Sequence, residues 1–214
     1  MRAPQVPSDP TDINALGHYL KQGDPDGRLG ALGLSQLLIS NRAHLDVAEV
    51  VSQALKDGHG QSPHTVVILY DKTDIRRDGQ DLKKAVTDEL ATRFSVNSCV
   101  LGDEVTELHA SEKVLDTATA AIAKAEVVVT VGSGTITDVG KVACSRHDNK
   151  PLVAVQTAAS VDGFTDDVSV VLRQGVKRTI SSCWPYAVLA DTVTIADAPS
   201  RLNEAGFGLS LIHI

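Results

Sequence analysis

The run VVVTVGSGTITD (127–138) decides the fold class. Residues 127–131 are four valines and a threonine, all β-branched, which predicts a buried strand. Gly132-Ser133-Gly134 then breaks the run, and TITDVGKVACSRH (135–147) has helical spacing. Strand, glycine turn and helix make one unit of an alternation that builds a parallel sheet covered by helices. Glycines let the backbone turn tightly and let a ligand approach the amides. The helix N-terminus that follows offers N–H groups and a positive dipole end, which suit a pyrophosphate. Two readings stay open here: nucleotide or phosphate binding, or a plain strand-to-helix turn. The full GxGxxG fingerprint is absent, because Thr137 takes the place of the third glycine. Thr135 and Asp138 also match a capping box, in which Asp138 reaches back to close the first turn.

The same alternation extends to both sides. LSQLLIS (34–40) predicts a short strand, and AHLDVAEVVSQALK (43–56) a helix stopped by Asp57-Gly58. HTVVILYD (64–71) predicts a buried strand running into Asp71. GQDLKKAVTDELATRF (79–94) predicts a helix, SVNSCVLG (95–102) a strand, and SEKVLDTATAAIAKA (111–125) a helix with Ser111 as N-cap. KPLVAVQT (150–157) is the next strand. The expected fold class is therefore α/β, a parallel sheet with helices on both faces. Beyond it, DVSVVLRQGVKRTISS (167–182) alternates on both sides of Gln174-Gly175 and predicts a β-hairpin. PYAVLADT (185–192) predicts a strand. ADAPSRLNEAG (196–206) predicts a helix start, with Asp197 as cap and Pro199 in the first turn. The opening MRAPQVPSDPTD (1–12) predicts an extended or disordered arm, and no element is assigned before Leu34.

Composition narrows the function classes. The 214 residues carry a formal charge of −7 and only 3% aromatics, so neither a polyanion-binding surface nor base-stacking platforms are expected, and no nucleic-acid partner. Cys99, Cys144 and Cys183 are far apart in sequence with no CxxC pair, which predicts buried free thiols in a reducing compartment. No charged-then-apolar leader and no long apolar run are present, so a cytoplasmic protein without membrane insertion is expected. None of the seven histidines, among them His59 and His213, forms an HxxxH pair.

A second loop, VQTAASVDGFTDD (155–167), follows the 150–157 strand at the sheet edge where ligands of open α/β folds bind. Thr157, Ser160, Asp162 and Asp166 place hydroxyls and carboxylates among small residues there. A solvated turn accounts for the same residues, and both readings stand.

Taken in order, GSGTITDVGK, QTAASVDGF, GVKRTISSCWPYAVLADT and ADAPSRLNEAGFG resemble the sn-glycerol-1-phosphate dehydrogenases. These belong with the iron-containing alcohol dehydrogenases, glycerol dehydrogenases and dehydroquinate synthases. The resemblance covers roughly residues 34 to 208. It implies an NAD(P)-binding α/β domain over 34–195, then an all-helical metal-binding domain whose start lies at 196–208. It implies reduction of dihydroxyacetone phosphate to sn-glycerol 1-phosphate, or the reverse, with NAD or NADP as cofactor. A divalent metal, zinc or nickel, and a homo-oligomer are implied for the full-length family member.

By the same resemblance, Gly132, Ser133, Gly134, Thr135 and Ile136 match the pyrophosphate loop, with Ser133 replacing a glycine. Asp71 matches the acid that contacts the adenosine ribose. Thr157, Ala158, Ala159 and Ser160 match a second dinucleotide contact, and Asp162 matches the acid assigned to substrate. Asp166 falls where relatives carry a serine near the nicotinamide. The family's metal-binding Asp follows an AGxG pattern, here Ala205 to Gly208, and Leu209 stands in its place. The expectation is that residues 209–214 are a non-native tail, that this chain holds no metal, and that it is inactive alone. Another polyol dehydrogenase, a dehydroquinate-synthase-like enzyme and a non-catalytic nucleotide-binding protein are the alternatives.

Overall fold

A computed structural model describes residues 5–56, 64–102 and 108–213. Residues 1–4 of the expected arm, the Asp57-Gly58 stop, His59, the His213 side chain and Ile214 lie outside the described set. Ten strands are described: β1 (Gln36–Ser40), β2 (Thr65–Tyr70), β3 (Arg76–Arg77), β4 (Gln80–Asp81), β5 (Ser95–Val100), β6 (Val127–Gly132), β7 (Leu152–Gln156), β8 (Val168–Arg173), β9 (Val176–Ser181) and β10 (Ala187–Asp191). The helices are α1 (Ile13–Gly23), α2 (Val47–Lys56), α3 (Leu82–Ala91), α4 (Glu112–Ala121), α5 (Gly134–Ser145), α6 (Thr192–Ala196) and α7 (Ser200–His213).

Six strands form one sheet in the order β1-β10-β7-β6-β2-β5, with every pairing parallel. The α/β class expected from the alternation is what the chain adopts. Side chains of β2 divide between two cores, as a period of two requires. Val66 and Ile68 join the cluster under α2 and α3, while Val67 and Leu69 join the one under α4 and α5. Burial on both faces explains why β2, β6 and β7 read as continuous apolar runs rather than alternating ones.

The chain runs from β2 outward to β5, then returns to place β6 on the other side of β2 and continues to β7 and β10. The switch point therefore lies between β2 and β6, where ligands of such sheets bind at the carboxyl ends. The register pairs Val66 with Val127 and Leu69 with Thr130, and its continuation sets Asp71 level with Gly132.

Helix α5 packs unusually close to the sheet. A Cβ added to Gly140 would lie 2.4 Å from Thr130 Cγ2. Gly140 thus supplies the close helix–strand approach that the third glycine of the usual fingerprint provides, one turn later than Thr137. The hairpin forms as expected, with β8 and β9 antiparallel and positive φ at Gln174 and Gly175.

Several local expectations are corrected. Helix α5 begins at Gly134 with Ser133 as N-cap, so Asp138 falls two residues beyond the third helical position and cannot close a capping box. Its carboxylate instead accepts from the Val170 amide at 3.2 Å. The helix expected over 196–206 starts only at Ser200, so Asp197 does not cap it and instead ends the preceding short helix α6, whose cap is Asp191 accepting from the Thr194 amide. Pro199 stands just before α7, which continues past Leu209. Ser111 sits at the α4 N-cap, but its side chain makes no capping bond. Cys144 and Cys183 are buried, whereas Cys99 on edge strand β5 is half-buried. A helix, α1, forms before Leu34, capped by Asp12 accepting from the Ala15 amide.

Candidate functional site

A cleft of about 1030 Å³ opens at the carboxyl end of the sheet. Asp71 and Thr73 line it after β2, Gly132, Ser133, Thr135 and Ile136 after β6, and Thr157 and Ala158 after β7. Thr194, Pro199 and Leu202, after β10, add a further wall. With Leu101 and Gly102 after β5, five strand ends contribute to one cavity.

Each loop is fixed by identifiable bonds. The Asp71 carboxylate accepts from the Thr73 amide at 3.0 Å and the Thr73 hydroxyl at 2.9 Å, which closes a tight turn. Lys83 of α3 lies beneath that turn, nearly buried, and donates to the Asp71 carbonyl at 2.5 Å and to the Thr73 carbonyl. Its ammonium also lies 5.4 Å from the centroid of the Tyr70 ring. Gly132 has no room for a side chain, since a Cβ there would lie 2.6 Å from Ile136 Cγ1. The first turn of α5 follows at once, and the first amides of a helix have no partners within it.

The second loop is tied to the first. The Thr157 amide donates to the Gly132 carbonyl at 3.1 Å, and the Gly134 amide donates to Ser160 Oγ at 3.4 Å. From the other side, Asn203 of α7 accepts from the Ala159 amide at 2.9 Å and donates to the Ile195 carbonyl at 2.8 Å. Gly206 permits this approach: a Cβ there would lie 1.9 Å from the Ala159 carbonyl oxygen.

The structure thus brings Asp71, Gly132, Ser133, Thr135, Ile136, Thr157 and Ala158 into one cleft. Gly134, Ala159 and Ser160 are joined to it by the bonds just described. Asp162 is exposed at the start of a short turn, Gly163–Thr165, outside the cleft lining. Asp166 is also outside the lining and pairs with Lys141 at 2.5 Å.

Other participants escaped the sequence reasoning. Lys72, Arg76 and Arg201 add cationic groups to the cleft lining. Lys83 had a signal, since it shares a helical face with the buried Val86 and Leu90 three and seven residues on.

Two ionic groups lie near the site, Asp191 buried and Asp138 half-buried. Asp191 accepts from His44 at 2.7 Å, Arg77 at 3.1 Å and the Thr194 amide at 2.9 Å. Burial alone would raise its pKa, but these bonds hold it below the usual carboxylate range. Asp138 behaves oppositely: burial pushes its pKa up to about 6, against the smaller pull of the Val170 amide and Lys141. Among the described residues, no group of three His, Cys, Asp or Glu side chains converges to hold a metal ion. No described helix is long and apolar enough to cross a membrane.

Comparisons with known proteins agree with this geometry. The family model described as iron-containing alcohol dehydrogenase matches residues 43–199. A glycerol-1-phosphate dehydrogenase [NAD(P)+] of Bacillus licheniformis is 30% identical over 142 residues, covering 66% of this chain and 34% of the relative. One from Halalkalibacterium halodurans is 38% identical over 117 residues, covering 54% and 29%. The chain thus spans about a third of the length of these relatives. Among solved structures, the NADH-dependent butanol dehydrogenase A of Thermotoga maritima matches with a TM-score of 0.70 at 15% identity, covering 86% of this chain and 49% of that one. Glycerol dehydrogenase of Schizosaccharomyces pombe matches with a TM-score of 0.63 at 21% identity, covering 83% and 42%. At these identities the structural matches speak to the fold.

Proposed function

The chain belongs to the iron-containing alcohol dehydrogenase family, and from that premise we propose that its cleft is the dinucleotide site of an NAD(P)-dependent dehydrogenase acting on a polyol phosphate. The observation that carries this reading is the meeting of Asp71 with the Gly132–Ile136 turn at the switch point of the sheet. The residues fit the cofactor. The side-chain-free Gly132 and the first turn of α5 would take the pyrophosphate, where amides and helix dipole favour an anion. Asp71, its carboxylate pre-set by Thr73, would accept from the adenosine ribose hydroxyls. Thr157 and Ala158 would flank the dinucleotide, with Ala159 and Ser160 setting their backbone. Asp162 would orient substrate hydroxyls at the outer end of the same loop. The bound cofactor supplies the hydride acceptor or donor.

The favoured reaction is interconversion of dihydroxyacetone phosphate and sn-glycerol 1-phosphate. Its support is the pair of curated relatives at 30% and 38% identity, both glycerol-1-phosphate dehydrogenases. The described side chains do not fit a divalent metal, so no step is routed through one. The units proposed from the sequence are retained: a nucleotide-binding domain over 34–195 and the start of a helical domain at 196–208.

Titration calorimetry of the chain with NADH and with NADPH tests the reading. Binding of either is expected, and Gly134→Val should abolish it, since a Cβ at Gly134 already meets Val161 Cγ1 at 3.0 Å and displaces the Ser160 side of the cradle. A folded chain that binds neither cofactor refutes the assignment.

A further inference from the structure

Lys141 lies on α5, two turns from the cleft, and its side chain is fully buried. An ammonium withdrawn from water costs several kcal/mol unless its N–H groups are satisfied. All three have acceptors: the Gly163 carbonyl at 3.1 Å, Asp166 Oδ1 at 2.5 Å and the Val168 carbonyl at 2.5 Å. Every acceptor belongs to one short segment, 163–168, and none to α5 itself. The buried charge is therefore a three-point anchor for that segment.

The segment begins where the cofactor cradle ends. Thr157 is fixed to Gly132, Ala159 to Asn203, and Ser160 to Gly134. Asp162 stands between the Ser160 tie and the first Lys141 acceptor, Gly163. Removing Lys141 would leave the near side of this turn attached and the hairpin from Asp167 onward still paired, while residues 163–166 between them lose their anchor. One turn earlier on α5, Asp138 binds the Val170 amide, so the same helix face also receives the start of the hairpin.

We propose that Lys141 is a positioning residue of the dehydrogenase site: it acts through the 158–168 loop, holding its outer half, which carries Asp162, beside the cofactor cleft. This rests on the cofactor reading given above. Removing the ammonium also costs stability, because Asp166 and the Gly163 and Val168 carbonyls lose their donor, and region-by-region exchange separates that cost from the anchoring of the loop.

The test combines amide hydrogen exchange with NADH titration of the wild-type chain and Lys141→Met. Exchange across 158–168 should quicken about tenfold while the sheet amides stay unchanged. The NADH dissociation constant should rise about tenfold. Unchanged exchange in 158–168 overturns the proposal. Faster exchange with unchanged NADH affinity also overturns it, since the anchor would then serve stability alone. A wild-type chain that binds no NADH overturns the cofactor reading and the proposal with it, and the exchange data separate that failure from a failed anchor. If Lys141→Met does not fold, Asp166→Asn serves instead, because it keeps both carbonyl acceptors. A smaller loosening confined to the same segment is expected, and none overturns the proposal.

Discussion

Replacing Asp138 by Asn should make the protein more stable at neutral pH. Burial raises the Asp138 pKa from 3.8 to about 6. The difference is about two units, which at 1.36 kcal/mol each amounts to about 3 kcal/mol. The sign follows from proton binding. The folded state holds this proton more tightly than the unfolded state, so stability falls as pH rises between the two pKa values. Below them the carboxyl is neutral in both states and the penalty vanishes. Asparagine matches the neutral carboxyl in shape and keeps an oxygen for the Val170 amide. The gain from Asp138→Asn should be near zero at about pH 3 and approach about 3 kcal/mol at about pH 8. Urea unfolding of both proteins across that range measures it. Carboxyls with lowered pKa, such as Asp191 and Glu49, titrate alike in both proteins and cancel in the difference. A gain independent of pH, or a loss at the alkaline end, would refute the reasoning.

Three other substitutions follow from close contacts and buried charge. Gly140→Ala should cost about 2 kcal/mol in chemical denaturation despite better helix propensity, because the new Cβ meets Thr130 Cγ2 at 2.4 Å; Thr130→Ser should restore most of it. Gly206→Ala should push α7 from the Ala159 carbonyl and weaken NADH binding, read by calorimetry, while the sheet core stays intact by circular dichroism. Asp191→Ala should lower the unfolding midpoint sharply, since it removes the carboxylate partner of buried His44, one of three acceptors of Arg77, and the cap of α6; a midpoint within error of wild type would contradict the hub.

Much of the fold was legible because its central strands, β2, β6 and β7, are buried on both faces. Runs such as Val66–Leu69 and Val127–Val131 can only be central strands, and the glycine turn between β6 and α5 marks the sheet's carboxyl edge. The hairpin was equally legible, since Gln174-Gly175 permits the positive φ that its turn adopts. Helix α1 was not, because it buries no residue fully and is defined by its Asp12 cap. Asp138 misled for a physical reason. A capping box and a buried acceptor both need a carboxylate near a helix start, and only the true first residue, Gly134, separates them. Of the residues the family pattern picks out, Asp71, Gly132, Ser133, Thr135, Ile136, Thr157 and Ala158 line one cleft, whereas Asp166 belongs to a contact with Lys141 that no local spacing encodes.

The site depends as much on polar side chains that serve the backbone as on the glycines that admit a ligand. Lys83 ties the Asp71 turn, Asn203 the Ala159 strap and Lys141 the outer loop, and each donates or accepts across more than nine residues of chain. Glycine permits a close approach but imposes no conformation, and its freedom opposes order. Order in these loops must therefore come from side chains that are themselves fixed by burial, as Lys83 and Lys141 are. The two lysines sit on opposite faces of the sheet, one on α3 and the other on α5, with the cleft between the loops they fasten. The sheet sets where the strand ends meet, and the tethers from its two helical layers set how closely the loops converge.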